Sequence, residues 1–141
     1  MSFLLDTNVV SEWTKPRPDH AVVAWLAELD EDRVFLSVVT VAELRHGIQR
    51  LPMGARRHRL DEWLTRQLPL RFEARILAID VETADMWGRV MARGQASGRP
   101  IGPMDAFIAA TAERHDLTLA TRNVSDFDAL GIRLTNPWNH G

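Results

Sequence analysis

Asp6 stands at the end of the apolar run Phe3-Leu4-Leu5, and Asp105 follows the Gly102-Pro103 turn, at the start of a helical stretch from Ala106 to His115. Asp126 comes soon after the run Leu117-Thr118-Leu119-Ala120, beyond Thr121-Arg122-Asn123. Ser37 and Thr40 follow a further run, Val34-Phe35-Leu36, and lead into a helix that carries Glu43. Gathered in one place, these groups form an oxygen-rich set with neither cysteine nor a spaced histidine pair. Such a set suits a hard ion, Mg2+ or Mn2+, rather than zinc. Carboxylates within roughly 4–6 Å raise one another's pKa, and a divalent cation is the usual way for the cluster to stay ionised. The chemistry that follows is phosphodiester hydrolysis, which needs no side-chain nucleophile when an ion activates water and polarises the phosphoryl oxygens.

Each residue also has a plainer reading. Asp6-Thr7-Asn8 fits a strand end followed by a helix cap, and Asp105 suits a helix amino terminus through the dipole. Glu43 shares its helix face with His46, Gly47 and Arg50, a solvated surface in the simplest reading, and pattern alone does not single it out. Asp126 fits a turn beside Asp128. Only the joint arrangement favours function, so the elements that would bring these residues together decide the matter.

Those elements are legible in outline. Phe3 to Leu5, Val34 to Leu36, Ile76 to Ile79 and Leu117 to Ala120 are short apolar runs without alternation, as in strands buried on both faces of a parallel sheet. Ile132-Arg133-Leu134 is a candidate for a short last strand. Helical spacing appears between the runs: Val22 to Leu29; Val41, Leu44 and Ile48; Leu60 to Leu68; and Phe107 to Ala112. Pro16 to Pro18, Pro52 to Gly54 and Gly98 to Pro103 read as loops. Strand and helix alternate, which predicts an α/β fold. In such a sheet ligands bind beyond the carboxyl ends of the strands, where Asp6, Ser37, Thr40 and Thr121 to Asp126 would emerge.

With 141 residues, 45% of them apolar, the chain fits one domain, 1–141, with enough apolar content to build a real core rather than a disulfide-stapled miniprotein. It has no cysteine, which excludes disulfides, thiolate metal sites and cysteine nucleophiles and fits a reducing cytoplasm. No signal peptide or membrane span is visible. The net charge of −2 argues against a global basic field, so any nucleic-acid contact must be local. Lys15 is the only lysine. Arg50, Arg56, Arg57, Arg59 and Arg66 surround Trp63 and offer a track for RNA phosphates. A solvated helix face, with Trp63 in the core or a dimer seam, explains them equally well.

The absence of a late lysine, together with Asn8 where a second aspartate would be needed, argues against phosphoryl-receiving domains and aspartate-nucleophile phosphatases. Gly-x-Ser-x-Gly, His-Glu-x-x-His and a Gly-Lys-Ser/Thr phosphate loop do not occur. The five histidines, His140 among them, are scattered.

The chain resembles PIN-domain proteins, and within them toxin ribonucleases of the VapC and FitB kind. Leu4-Leu5-Asp6-Thr7-Asn8-Val9 looks like the family's opening motif, Leu36-Ser37 to Thr40-Val41-Ala42-Glu43-Leu44 its second, and Asp105 to Ala112 its third. Ala120-Thr121-Arg122-Asn123 with Asp126-Phe127 looks like the fourth, and Asn136-Pro137-Trp138 resembles the FitB-like branch. The resemblance implies a three-layer α/β/α fold around a central parallel sheet. It implies a metal-dependent endoribonuclease, with Asp6 and Asp105 binding Mg2+ or Mn2+ and with Glu43 and Asp126 completing the catalytic acids. Thr7, Asn8, Ser37, Thr40, Thr121 and Asn123 would be supporting polar groups, and Arg122 would join the arginines near RNA. It further implies a cognate antitoxin and a homodimer. Asn123 stands where some relatives carry aspartate; it offers an oxygen without charge, so the expectation is one firmly held ion. The alternative is a PIN fold with a pocket too weak to cleave, acting as a binding module on antitoxin or nucleic acid.

Overall fold

The computed structural model describes residues 1–139; His140 lies outside them. Five parallel strands, β1 (Phe3–Leu5), β2 (Val34–Ser37), β3 (Ile76–Leu77), β4 (Thr118–Ala120) and β5 (Leu134–Thr135), lie in the order β3-β2-β1-β4-β5. β1 is central, with Leu4 opposite both Phe35 and Leu119. Around the sheet run α1 (Thr7–Val10), α2 (His20–Glu28), α3 (Val38–Gln49), α4 (Ala55–Glu62), α5 (Leu68–Phe72), α6 (Val81–Ala96), α7 (Pro103–Arg114) and α8 (Val124–Phe127).

Because successive strand residues point to opposite faces, the sheet separates two cores. Leu4 and Leu119 pack with Val90 of α6 and with Ile108 and Ala109 of α7. Leu5, Leu36 and Ala120 pack on the other side with Val22 of α2, Leu44 and Ile48 of α3, and Phe72 of α5. Helices on both faces of a parallel sheet make the expected three layers. Both faces of β1 are dry, so its backbone leaves the sheet only at its end, where Asp6 waits.

The structure adjusts several boundaries. β3 stops at Leu77 rather than Ile79, since this edge strand must turn away to reach the α6 cap, where Asp80 accepts from the Thr83 N–H at 2.8 Å. The last strand is Leu134–Thr135 rather than 132–134, paired against Leu119 and Ala120. The helical stretch around Leu60 to Leu68 belongs to α4, which continues through a π-helical turn at Trp63–Gln67 into α5. The sixteen-residue α6 was not among the expected helices. Its signal was nonetheless present, with Trp87, Val90, Met91 and Gly94 at three- and four-residue spacing behind an aspartate cap. Gly94 is buried, and a Cβ there would meet the Arg99 carbonyl at 3.2 Å, so the α6–α7 loop lies directly against the helix.

Candidate active site

Four acids arrive at the carboxyl edge of the sheet from four elements. Asp6 ends β1 and caps α1, accepting from the Thr7 N–H at 2.8 Å. Glu43 lies on α3, which leaves β2; Asp105 lies in the first turn of α7; and Asp126 lies on α8, beyond β4. The Asp6 N–H donates to the Ala120 carbonyl at 2.9 Å, which locks the exit of β1 to that of β4.

A web of hydroxyls orients the acids. The Thr121 hydroxyl donates to Asp6 Oδ2 at 2.8 Å, and Thr121 Oγ1 in turn accepts from the Asn123 N–H at 3.0 Å and from Asn8 Nδ2 at 3.5 Å. The Thr7 hydroxyl donates to Glu43 Oε1 at 2.7 Å and lies 3.2 Å from the Thr40 hydroxyl. Asn8 Oδ1 accepts from the Arg122 N–H at 3.3 Å. Glu43 is therefore a half-buried member of the pocket rather than part of a solvated face. Ser37 is fully buried and uses its hydroxyl to accept from the Val39 N–H at 3.0 Å, capping α3. Its part in the site is to start the helix that carries Glu43.

The acids sense one another. Burial raises the Asp6 pKa above the ordinary carboxylate value, and the charges of Glu43 and Asp126 add to it, while bonds from Thr121 and Thr7 oppose the rise. Asp105 is pushed up to about 6, first by burial and then by the charges of Asp6, Asp126 and Glu43. Among the described residues, no three acid, histidine or cysteine side chains already stand in metal-ligand geometry. The carboxylates share a field without closing on a centre. The donor set still fits a hard divalent cation: all oxygen, like-charged, partly desolvated, and costly to keep ionised without a counter-charge.

The field has a consequence for stability in metal-free protein. Asp6 and Asp105 bind protons more tightly folded than unfolded, so their contribution favours the fold at acid pH and is lost as pH rises, for Asp105 from about 4 through about 6. Asp105→Asn is expected to stabilise the chelated protein above about pH 6.5 by on the order of 1 kcal/mol, discounted for partial exposure, or a few degrees in Tm. Thermal unfolding in EDTA across the pH range checks this; equal pH slopes for wild type and variant would contradict it.

The arginines divide. Arg56 lines a cavity shared with Thr7 and Glu43, and Arg59 lines the next one, beside Trp13 and Trp63. Arg57 donates to the Leu51 carbonyl at 3.3 Å, which ties it to the α3–α4 loop, and Arg66 pairs with Glu62 at 3.5 Å. Arg50 ends α3 in an exposed position. Arg122 lies over the Trp138 ring, 5.2 Å from its centre.

Arg99 went unnoticed in the sequence because it sits in a stretch legible only as a loop. It lines a cavity of about 390 Å³ with Asp105 and Asp126. Its guanidinium donates to Asp128 Oδ1 at 2.6 Å and to the Ser125 carbonyl at 2.5 Å, joining the loop before Asp105 to the segment around Asp126. A basic residue shortly before the Gly102-Pro103 turn was the only hint. As a positioning residue it should matter to turnover more than to binding: Arg99→Ala is expected to lower kcat about 10-fold with KM nearly unchanged, and Arg99→Lys to recover part of the loss. Steady-state kinetics beside Tm measurements check the split.

Comparison with known proteins shows the family and the fold. The profile of the PIN domain matches residues 3–132. The chain is 40% identical over 135 residues to "VapC ribonuclease Y4jK" of Sinorhizobium fredii, covering 96% of each chain. It is 41% identical over 136 residues to "Toxin FitB" of Neisseria gonorrhoeae, covering 96% of this chain and 98% of that one. The crystal structure of FitAcB from Neisseria gonorrhoeae superposes with a TM-score of 0.92 at 41% identity, over 97% of this chain and 99% of that one. Other matched structures are described as a toxin–antitoxin complex and as DNA-bound complexes.

Proposed function

Because the chain belongs to the PIN-domain family, we propose that it is the toxin of a toxin–antitoxin pair, an endoribonuclease that hydrolyses RNA phosphodiester bonds with Mg2+ or Mn2+. The observation that carries this is the convergence of Asp6, Glu43, Asp105 and Asp126 from four elements into one partly desolvated field.

Asp6 and Asp105 would hold the ion, which when bound activates water and polarises the phosphoryl group. The protein's own part is orientation. Thr121 and the Thr7 N–H grip the two oxygens of Asp6, so this carboxylate has no rotamer freedom to lose when it engages a ligand. Thr7 also fixes Glu43, which completes the acidic set as a proton acceptor close to the reacting phosphate. Asp126, exposed on α8 and steered through Arg99, closes the pocket from the solvent side. Asn123 leaves that side short of one charge, which favours a single ion.

The cognate antitoxin is the expected partner, as the matched toxin–antitoxin complex supports, and a homodimer in the cytoplasm is the expected form. Among the described residues no helix is long and apolar enough to cross a membrane. The test is incubation of antitoxin-free protein with a panel of structured RNAs, with and without Mg2+ or Mn2+. Discrete cuts that require metal support the reading. Metal binding without cleavage would favour the binding-module alternative, to which the uncharged Asn123 lends support.

A further inference from the structure

Beside the acidic cluster, between α1, α3 and α4, lies a cavity of about 280 Å³ whose walls include Thr7 and Glu43, the hydrogen-bonded pair that belongs to that cluster. The far wall is apolar, built from Leu44, Ile48, Leu60 and the indole of Trp63. Lys15, whose ammonium touches the buried Glu12, and the exposed Arg56 supply the cations of its rim. Trp63 begins the π-helical turn that joins α4 to α5, a distortion that tends to be kept where a helix serves a site. Gly47 lines the cavity from α3, and a Cβ built there meets nothing within 4 Å. Glycine in the middle of a helix costs stability, and here no close packing requires it; its effect is to leave the cavity open.

We propose that this cavity receives one unpaired nucleobase of the RNA whose phosphate lies at the carboxylates, a subsite that rests on the ribonuclease reading above. Three features select a base over other occupants. The cavity is walled by Glu43 and Thr7 of the acidic cluster, so a nucleotide next to the cut phosphate lies beside it. Its space suits one flat ring system, with an indole and aliphatic side chains to hold the ring's faces. Its rim carries cations, which match the phosphates flanking a base held inside. Duplex RNA cannot present a base this way, so the subsite selects single-stranded or looped RNA.

The test separates base recognition from phosphate attraction and from catalysis. Asp105→Asn silences cleavage and removes one charge from the pocket. In that background, fluorescence anisotropy measures binding, with Mg2+ present, of labelled A6, C6, G6 and U6 RNA and of an all-abasic ribose-phosphate hexamer of the same charge. At least one homopolymer is expected to bind roughly 5- to 150-fold tighter than the abasic chain. Adding Gly47→Met, which fills the cavity from an unstrained helical position and leaves Tm equal or higher, should bring that homopolymer down to the abasic level without changing abasic binding. The proposal is overturned if intact and abasic chains bind alike, or if Gly47→Met weakens both equally. It is also overturned if Gly47→Met spares RNA and instead disrupts the antitoxin complex, which would make the cavity a protein-docking site. Cleavage by wild-type protein, scored separately, reports on the nuclease reading, so the two can fail independently.

Discussion

Asp6→Asn is expected to lower metal-dependent RNA cleavage by about a thousandfold or more while leaving the fold intact. Asparagine fills the same volume at the end of β1, its Oδ1 can still accept from the Thr7 N–H, and the Thr121 oxygen can accept from the new amide once the long 3.5 Å bond from Asn8 yields. What disappears is charge at the most buried of the four acids, 5% exposed, where no solvent substitutes for a lost ligand. Losing one preorganised electrostatic contact in such a site typically costs two to three orders of magnitude, and losing the ion itself costs more. Single-turnover cleavage, a Mn2+ titration and a melting curve on the same preparation check the expectation. A folded variant with near-wild-type cleavage would remove Asp6 from the mechanism.

The second large effect comes from a residue that binds nothing itself. Thr121 is fully buried, and its hydroxyl joins Asp6, Asn8 and Asn123. Thr121→Val keeps the shape and removes the hub. One oxygen of a buried carboxylate loses its donor, and the Asn123 N–H loses its acceptor. The expected stability loss is about 2 kcal/mol. The ordinary opposing influence on the Asp6 pKa also goes, so that value should climb further. Metal affinity is then expected to fall about 10- to 100-fold, with the pH at which activity appears moving upwards. Thr121→Ser, which retains the oxygen, should restore the pH profile and most of the affinity even if it leaves a small void. Were valine and serine to behave alike, packing rather than the hydrogen bond would be responsible.

Much of this site was legible because its signals are local. A strand buried on both faces reads as an unbroken apolar run, and the polar residue that ends it marks the edge where ligands bind; Phe3-Leu4-Leu5-Asp6 and Leu119-Ala120-Thr121 carry that signal directly. The short edge strands were harder to place, because Ile79 and Ile132 are apolar for the sake of the core beside α6 and α7 and not for the ladder. Arg99 and Arg57 show the other limit. Both are arginines in or near loops, yet one ties two acidic segments together while the other is spent on the Leu51 carbonyl. No periodicity encodes which backbone oxygen a long side chain will find. Ser37 gave the opposite error of emphasis, since a hydroxyl at a strand exit serves a helix cap as readily as a pocket.

The pairing of the central strand also sets a schedule. Phe3 lies opposite Val34, but its other neighbour is Thr118, and the bond that seats Asp6 comes from a residue 115 positions later. During synthesis the amino-terminal strand can find β2 early, yet at about 5–20 residues per second it must wait several seconds more for β4. Asp105 and Asp126 emerge in the same late stretch. A growing chain therefore carries Asp6 through more than a hundred further residues of synthesis without a competent pocket around it. The ribosome making this toxin is spared its activity until Asp105, Thr121 and Asp126 have all emerged.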